Sequence, residues 1–145
     1  MSWRALPPEL ARVDLLGLVY LGTLRGDGRP RLGPAEAHVW EGELLIGVMP
    51  RSLRARDLAR DPRCTLQSAV AGPDSGDPEL KLYCRAEPAA GEPPDAWWSG
   101  REDAAVYALD VNEAALVEWD LERGLMTVMS WSPARGLRTE CRSYP

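Results

Sequence analysis

Phenylalanine is absent from this 145-residue chain, histidine and lysine each occur once, and there are only three cysteines. Each scarcity excludes something. Cys64, Cys84 and Cys141 are odd in number and widely spaced, with no CxxC pair. That argues against a disulfide framework and against a structural zinc site. They read as reduced thiols, two of them in strands. No apolar run approaches the roughly eighteen residues that cross a bilayer as a helix. The opening Met1-Ser2-Trp3-Arg4-Ala5-Leu6-Pro7-Pro8 has neither a continuous apolar segment nor a small-residue cleavage site, so it does not read as a signal peptide. The expectation is a cytoplasmic protein with no membrane partner. Lys81 is the sole lysine among 17 basic residues, which we read as a GC-rich coding bias. A pI near 4.9 with a single basic cluster does not suit a groove that tracks a nucleic-acid backbone, so no nucleic-acid partner is expected. No internal repeat, low-complexity segment or catalytic triad is legible.

The composition that remains is that of an ordinary globular domain, and the length suits one domain, residues 1–145, with a real core. Pro7-Pro8-Glu9 opens a helical arm, about residues 7–16, with Leu10, Val13 and Leu16 on one face. Strands are expected at Gly17–Leu24, Pro30–Trp40, Glu43–Met49, Arg63–Val70 and Glu79–Glu87. Turn signals at Asp27-Gly28 and Glu41-Gly42 join the first three. Ala71–Pro78 is a loop. A short helix is expected at Asp95–Ser99. Three more strands are expected at Asp103–Val111, Ala114–Trp119 and Leu125–Trp131, followed by a polar tail of about 132–145. Short strands in hairpins, with short helices between them, indicate an antiparallel barrel or sandwich. Several strands are apolar on both faces, so the second face must be covered by a barrel interior or by a partner subunit.

The stretch from Met49 to Arg63 carries five arginines in a chain whose net charge is −5. Ser52 is a helix N-cap and Pro62 a stop, and the strand Leu44–Met49 runs directly into them. Strand, short loop and a helix opening on Ser and Arg form an anion site, because free amides and the positive end of the dipole meet there. The bland alternative is a solvated helix face, with Arg51, Arg54, Arg56 and Arg60 paired to Asp57 and Asp61.

Four motifs occur in a familiar order: the hairpin Leu21-Gly22-Thr23-Leu24-Arg25-Gly26-Asp27-Gly28-Arg29-Pro30-Arg31, then Gly42–Met49, then Arg51–Leu58 with Asp61-Pro62-Arg63, then Leu82–Glu87. Together they resemble the pyridoxamine 5′-phosphate oxidase-like, FMN-binding split-barrel family in its short single-domain form, over roughly residues 10–131. The resemblance implies a mostly β fold with short helices, a six-stranded antiparallel split β-barrel. It implies a homodimer with flavin clefts between the subunits. The activity implied is FMN-dependent oxidoreduction of a small organic molecule, with deazaflavin F420 as an alternative cofactor. It assigns the cofactor phosphate to Ser52 and Arg54, with Arg51 or Arg56 assisting, and the cofactor-lining backbone to Gly47 and Val48. Gln67 and Ser68 are implied near the ring system, and Trp131 near the cofactor of the other subunit. Leu53 stands where the family carries a cation, as do Leu32 and Ala37 on the preceding strand. Those departures favour a second class, a non-catalytic flavin or haem carrier or a relative without cofactor.

His38 shares a strand face with Glu36, so an acid–base pair is conceivable, although a lone strand histidine is more often structural. Lys81 is equally ambiguous. Trp97 and Trp98 are adjacent, and one of them is a candidate for packing on a partner.

Overall fold

A computed structural model describes residues 2–90 and 105–144. Eight antiparallel strands form one sheet: β1 (Gly17–Leu24), β2 (Pro30–Trp40), β3 (Glu43–Val48), β4 (Arg63–Ser68), β5 (Glu79–Pro88), β6 (Ala105–Asp120), β7 (Leu125–Ser132) and β8 (Gly136–Ser143). Their order is β3-β2-β1-β4-β5-β6-β7-β8, and β3 also pairs with β6. That extra pairing closes the first six strands into the expected barrel, leaving β7 and β8 as an extension. One α-helix is described, α1 (Leu53–Arg60), between β3 and β4. No helix among the described residues is long and apolar enough to cross a membrane.

Alternation builds the interior. Val19 and Leu21 of β1, Leu44 and Ile46 of β3 and Leu80 and Leu82 of β5 are buried in one cluster. Intervening residues face outward. The hairpin joining β2 to β3 turns at Glu41 (φ 50°) and Gly42 (φ 81°). Two successive positive φ angles match the right-handed twist of the flanking strands and pin the register.

Three expectations change, and one falls outside the described residues. The helical arm at 7–16 is instead a hydrogen-bonded turn after Pro7 and a 3-10 turn at Val13–Leu15, with another at Trp3–Ala5. Trp3, Leu6 and Leu10 are buried in the core, so side-chain burial outcompetes propagation of a short, marginal helix. The two strands expected at 103–111 and 114–119 are one continuous β6 from Ala105. Its register with β5 shifts at Tyr83/Cys84, which leaves Asn112 as an extra residue. This bulge resets the in–out alternation, so Val111 and Ala114 both face the core. β6 can therefore pair with β3 over one half and β7 over the other. The polar tail is largely β8, an exposed edge strand that also holds the third cysteine, Cys141. The helix expected at Asp95–Ser99, with Trp97 and Trp98, lies outside the described residues.

Candidate functional site

β3 ends at Val48, and the chain turns through Met49 and Pro50 into α1. Ser52 is extended (φ −71°, ψ 159°), and its Oγ accepts from the Ala55 amide at 3.1 Å. The Arg56 amide donates to the Ser52 carbonyl at 3.2 Å. The amides of Leu53 and Arg54 in the first turn point out of the helix start, with no intrahelical acceptor to reach. The Ser52 hydroxyl hydrogen also remains to be donated. This end of the helix is a set of donors and a positive dipole.

Cations surround it unevenly. Arg51 and Arg56 are exposed. Arg54 lies across β2 and donates to the Pro34 carbonyl. Its guanidinium lies in van der Waals contact range of Gly33, 3.5 Å from where a Cβ would stand. Arg54 thus fixes the first turn of α1 beside β2 and keeps further N–H donors. Leu53 is exposed and offers no charge.

The far side of α1 is clamped by a buried carboxylate. Asp57 accepts from Thr23 Oγ1 (2.8 Å) and Arg31 Nε (2.7 Å) at Oδ2, and from Arg60 (2.9 Å) at Oδ1. Its side chain is 3% exposed. Burial pushes its pKa upward, but the hydrogen bonds from Arg31, Thr23 and Arg60 outweigh it and hold the group at about 2. Arg60 also donates to the Leu24 carbonyl at 2.8 Å. The sequence reading paired Asp57 with the helix arginines and missed Thr23 and Arg31. The available signal was a polar residue at an inward position of β1, two after Leu21.

Gly47 faces Glu36 across the β2–β3 pairing, and Glu36 faces Leu18 across β1–β2. Tyr20 faces Gln67, which faces Lys81. These outward positions form a continuous face leading from the end of β3 toward β5. His38 sits on the same face opposite Leu45, half-buried, two residues from Glu36. The side chains of three other expected residues are buried. Ser68 faces inward, where its Oγ accepts from the Leu80 amide at 2.9 Å and supports the β4–β5 pairing. Val48 is buried, and Trp131 is in the core of its own chain. Ala37 is fully buried inside the barrel, so no side chain at that position reaches the outer face.

The outer face is also apolar in patches: Leu18 is 59%, Tyr20 42%, Leu32 73% and Tyr83 45% exposed. Register joins Leu32 to Gly22, Gly22 to Thr65 and Thr65 to Tyr83. A cleft of about 460 Å³ opens here, lined by Gly22, Thr65, Tyr83, Arg63 and Glu113 among others. A second, of about 390 Å³, lies beyond Tyr83 between β6 and β8, with Ser130, Arg135 and Arg138. Cys64 and Cys84 face each other across β4–β5, and burial pushes the Cys64 thiol up to about 12 and the Cys84 thiol higher still. Neither is a nucleophile in the folded protein. Among the described residues no group of His, Cys, Asp or Glu could hold a metal ion.

Known structures share this fold. A pyridoxamine 5′-phosphate oxidase-related, FMN binding protein from Nostoc punctiforme PCC 73102 matches with a TM-score of 0.63 at 13% identity, over 96% of this chain and 99% of that one. The chain has the split-barrel fold. PhzG from Burkholderia lata 383, solved in complex with tetrahydrophenazine-1-carboxylic acid, matches this split barrel with a TM-score of 0.64 at 11% identity, over 93% and 86% of the two chains. A heme binding protein from Mycobacterium smegmatis gives 0.60 at 18% identity, over 90% of this chain and 55% of that one. No protein-family model matches the sequence, and no curated protein does. Split barrels thus include proteins described as binding flavin and haem, and the likeness is one of fold.

Proposed function

We propose that the chain is an FMN-dependent oxidoreductase of the pyridoxamine 5′-phosphate oxidase-like kind, acting on a small organic molecule as a cytoplasmic homodimer. The observation that carries the reading is the first turn of α1. There the Ser52 hydroxyl and two outward amides meet at the end of β3, with Arg51 exposed beside them and Arg54 held against Pro34. A phosphate monoester suits this donor set, and the residues fit FMN at that point. Gly47 brings backbone to the same end without a side chain in the way. Bound FMN supplies hydride or electron transfer at its ring system. The chain's own groups hold the phosphate, orient the ring along the outer face from Glu36 to Gln67, and exclude water there. The exposed apolar residues of that face support the homodimer, since a second copy would cover them and wall the cleft. F420 also carries phosphate and suits the same donors.

The test is cofactor uptake by purified protein, followed by flavin fluorescence and absorbance. Saturable binding of FMN, with photoreduction of the bound flavin reversed by an added acceptor, supports the proposal. Protein that takes up neither FMN nor F420 at about 100 μM ligand, an affinity limit near 5 kcal/mol, defeats it. A second reading, a non-catalytic carrier, draws on the exposed Leu53 and Leu32, which leave the site without two of the family's cations. Haemin uptake without flavin uptake would favour it.

A further inference from the structure

Nine of the sixteen arginines belong to segments that meet at one end of the barrel. Arg60 reaches from α1 to the β1–β2 hairpin, where it donates to Leu24 and lies 3.5 Å from where a Gly26 side chain would begin. Arg31 meets the same Asp57, and Arg54 meets Pro34. Arg63 stands opposite Arg85 in the β4–β5 register, beside Asp61. The segments 24–31 and 49–63 with Arg85 hold nine arginines and three aspartates, a local charge of +6 in a chain of −5. The rest of the chain therefore carries −11. Asp27, Asp57 and Asp61 take ion pairs at this end, and Asp110 faces Arg85 across β5–β6, which still leaves the pole positive.

We infer that this arginine pole steers anionic ligands to the first turn of α1, so that the protein selects its cofactor by rate of capture as well as by contact. The inference rests on the proposed FMN site. A dianion approaching a molecule of net −5 is repelled at long range, and only a local field of opposite sign gives it a productive approach. The field is focused where the donors are, because Arg54 and Arg56 ride on α1 and Arg51 directly precedes its N-cap. Arg25 and Arg29, on the β1–β2 hairpin with side chains 39% and 68% exposed, contribute field without touching the site. Charge in this position acts on association and is screened by salt, whereas the contacts at Ser52 act on dissociation.

The experiment is stopped-flow flavin binding to the full chain, with FMN and riboflavin as probes, from about 10 mM to about 500 mM salt. FMN association should fall by about tenfold or more across that range, while neutral riboflavin stays within about twofold. The variant pair Arg25→Glu and Arg29→Glu should slow FMN association by about fivefold or more at low salt and leave its dissociation rate unchanged. A control, Arg123→Glu with Arg142→Glu, lowers net charge by the same four units away from the pole and should alter the rate far less. FMN that binds with a salt-independent rate overturns the steering and leaves the FMN site standing. Equal effects of the two charge changes overturn it as well, since net charge alone would then act. A protein that binds no FMN defeats the site, and the steering with it.

Discussion

Replacing Asp57 by asparagine removes one charge and keeps the shape. In the wild type the carboxylate is buried and takes hydrogen bonds from Thr23, Arg31 and Arg60. Its pKa of about 2 lies below the ordinary 3.8. The folded state therefore holds the ionised form more tightly than the unfolded chain does, and at neutral pH this contributes about 2 kcal/mol. The sign follows directly. The contribution is complete above the unfolded pKa, near pH 4, and is lost as pH falls through the folded value near 2. Asparagine cannot accept two charge-assisted bonds of the same strength, so Asp57→Asn should cost about 2–3 kcal/mol at pH 7. Urea unfolding followed by tryptophan fluorescence gives the stability of both proteins from pH 7 to pH 2. Other carboxylates titrate in the same range, Asp61 among them, but they are common to both chains. The gap between wild type and variant should be flat above pH 5 and shrink toward pH 2. A gap under about 0.5 kcal/mol at pH 7, or one that does not close with acid, would refute the clamp.

Three further outcomes are expected. Ser52→Ala should destabilise the fold by about 1 kcal/mol in the same urea assay, because the Ala55 amide loses its acceptor. With Ellman's reagent the native protein should show one fast thiol, Cys141, and three after denaturation, since burial keeps Cys64 and Cys84 protonated and inaccessible. Light scattering should give about twice the 16.0 kDa chain mass, and Leu32→Glu on the exposed face should shift the protein toward monomer.

The fold was legible where turn chemistry and alternation agree. β1 and β2 fall on the expected residues because Asp27-Gly28 and Glu41-Gly42 close their ends, and the Glu41-Gly42 turn takes the two positive φ angles a tight hairpin demands. β6 was read as two strands because Asn112 and Glu113 interrupt its apolar pattern. That interruption is the bulge, and a bulge keeps the strand while breaking its period. β8 escaped because periodicity reports burial, and this strand buries almost nothing. Its Arg138, Glu140 and Arg142 suit an unprotected edge. The N-terminal arm carries helix-start residues, yet Trp3, Leu6 and Leu10 gain more by closing the barrel than a two-turn helix would by forming.

The candidate site was legible in part. Ser52 as an N-cap followed from local chemistry. The partners of Arg54 and Asp57 did not, because Pro34, Thr23 and Arg31 lie 20 to 34 residues away in sequence and only the barrel closure brings them to α1. Ser68 was placed by family position, and its inward direction follows from the parity of β4, where Cys64 and Leu66 set the buried face.

The central claim is that a phosphate-bearing flavin rests on the first turn of α1. Calorimetric titration of FMN and riboflavin into the wild type and Arg54→Ala tests it most directly. Removing the guanidinium should weaken FMN by about 1.5–3 kcal/mol, roughly ten- to a hundredfold, because a charge-assisted contact to phosphate is lost. Riboflavin has no phosphate, so its affinity should change by less than about threefold. Equal losses for the two ligands would contradict the account and assign Arg54 to holding α1 against Pro34 alone.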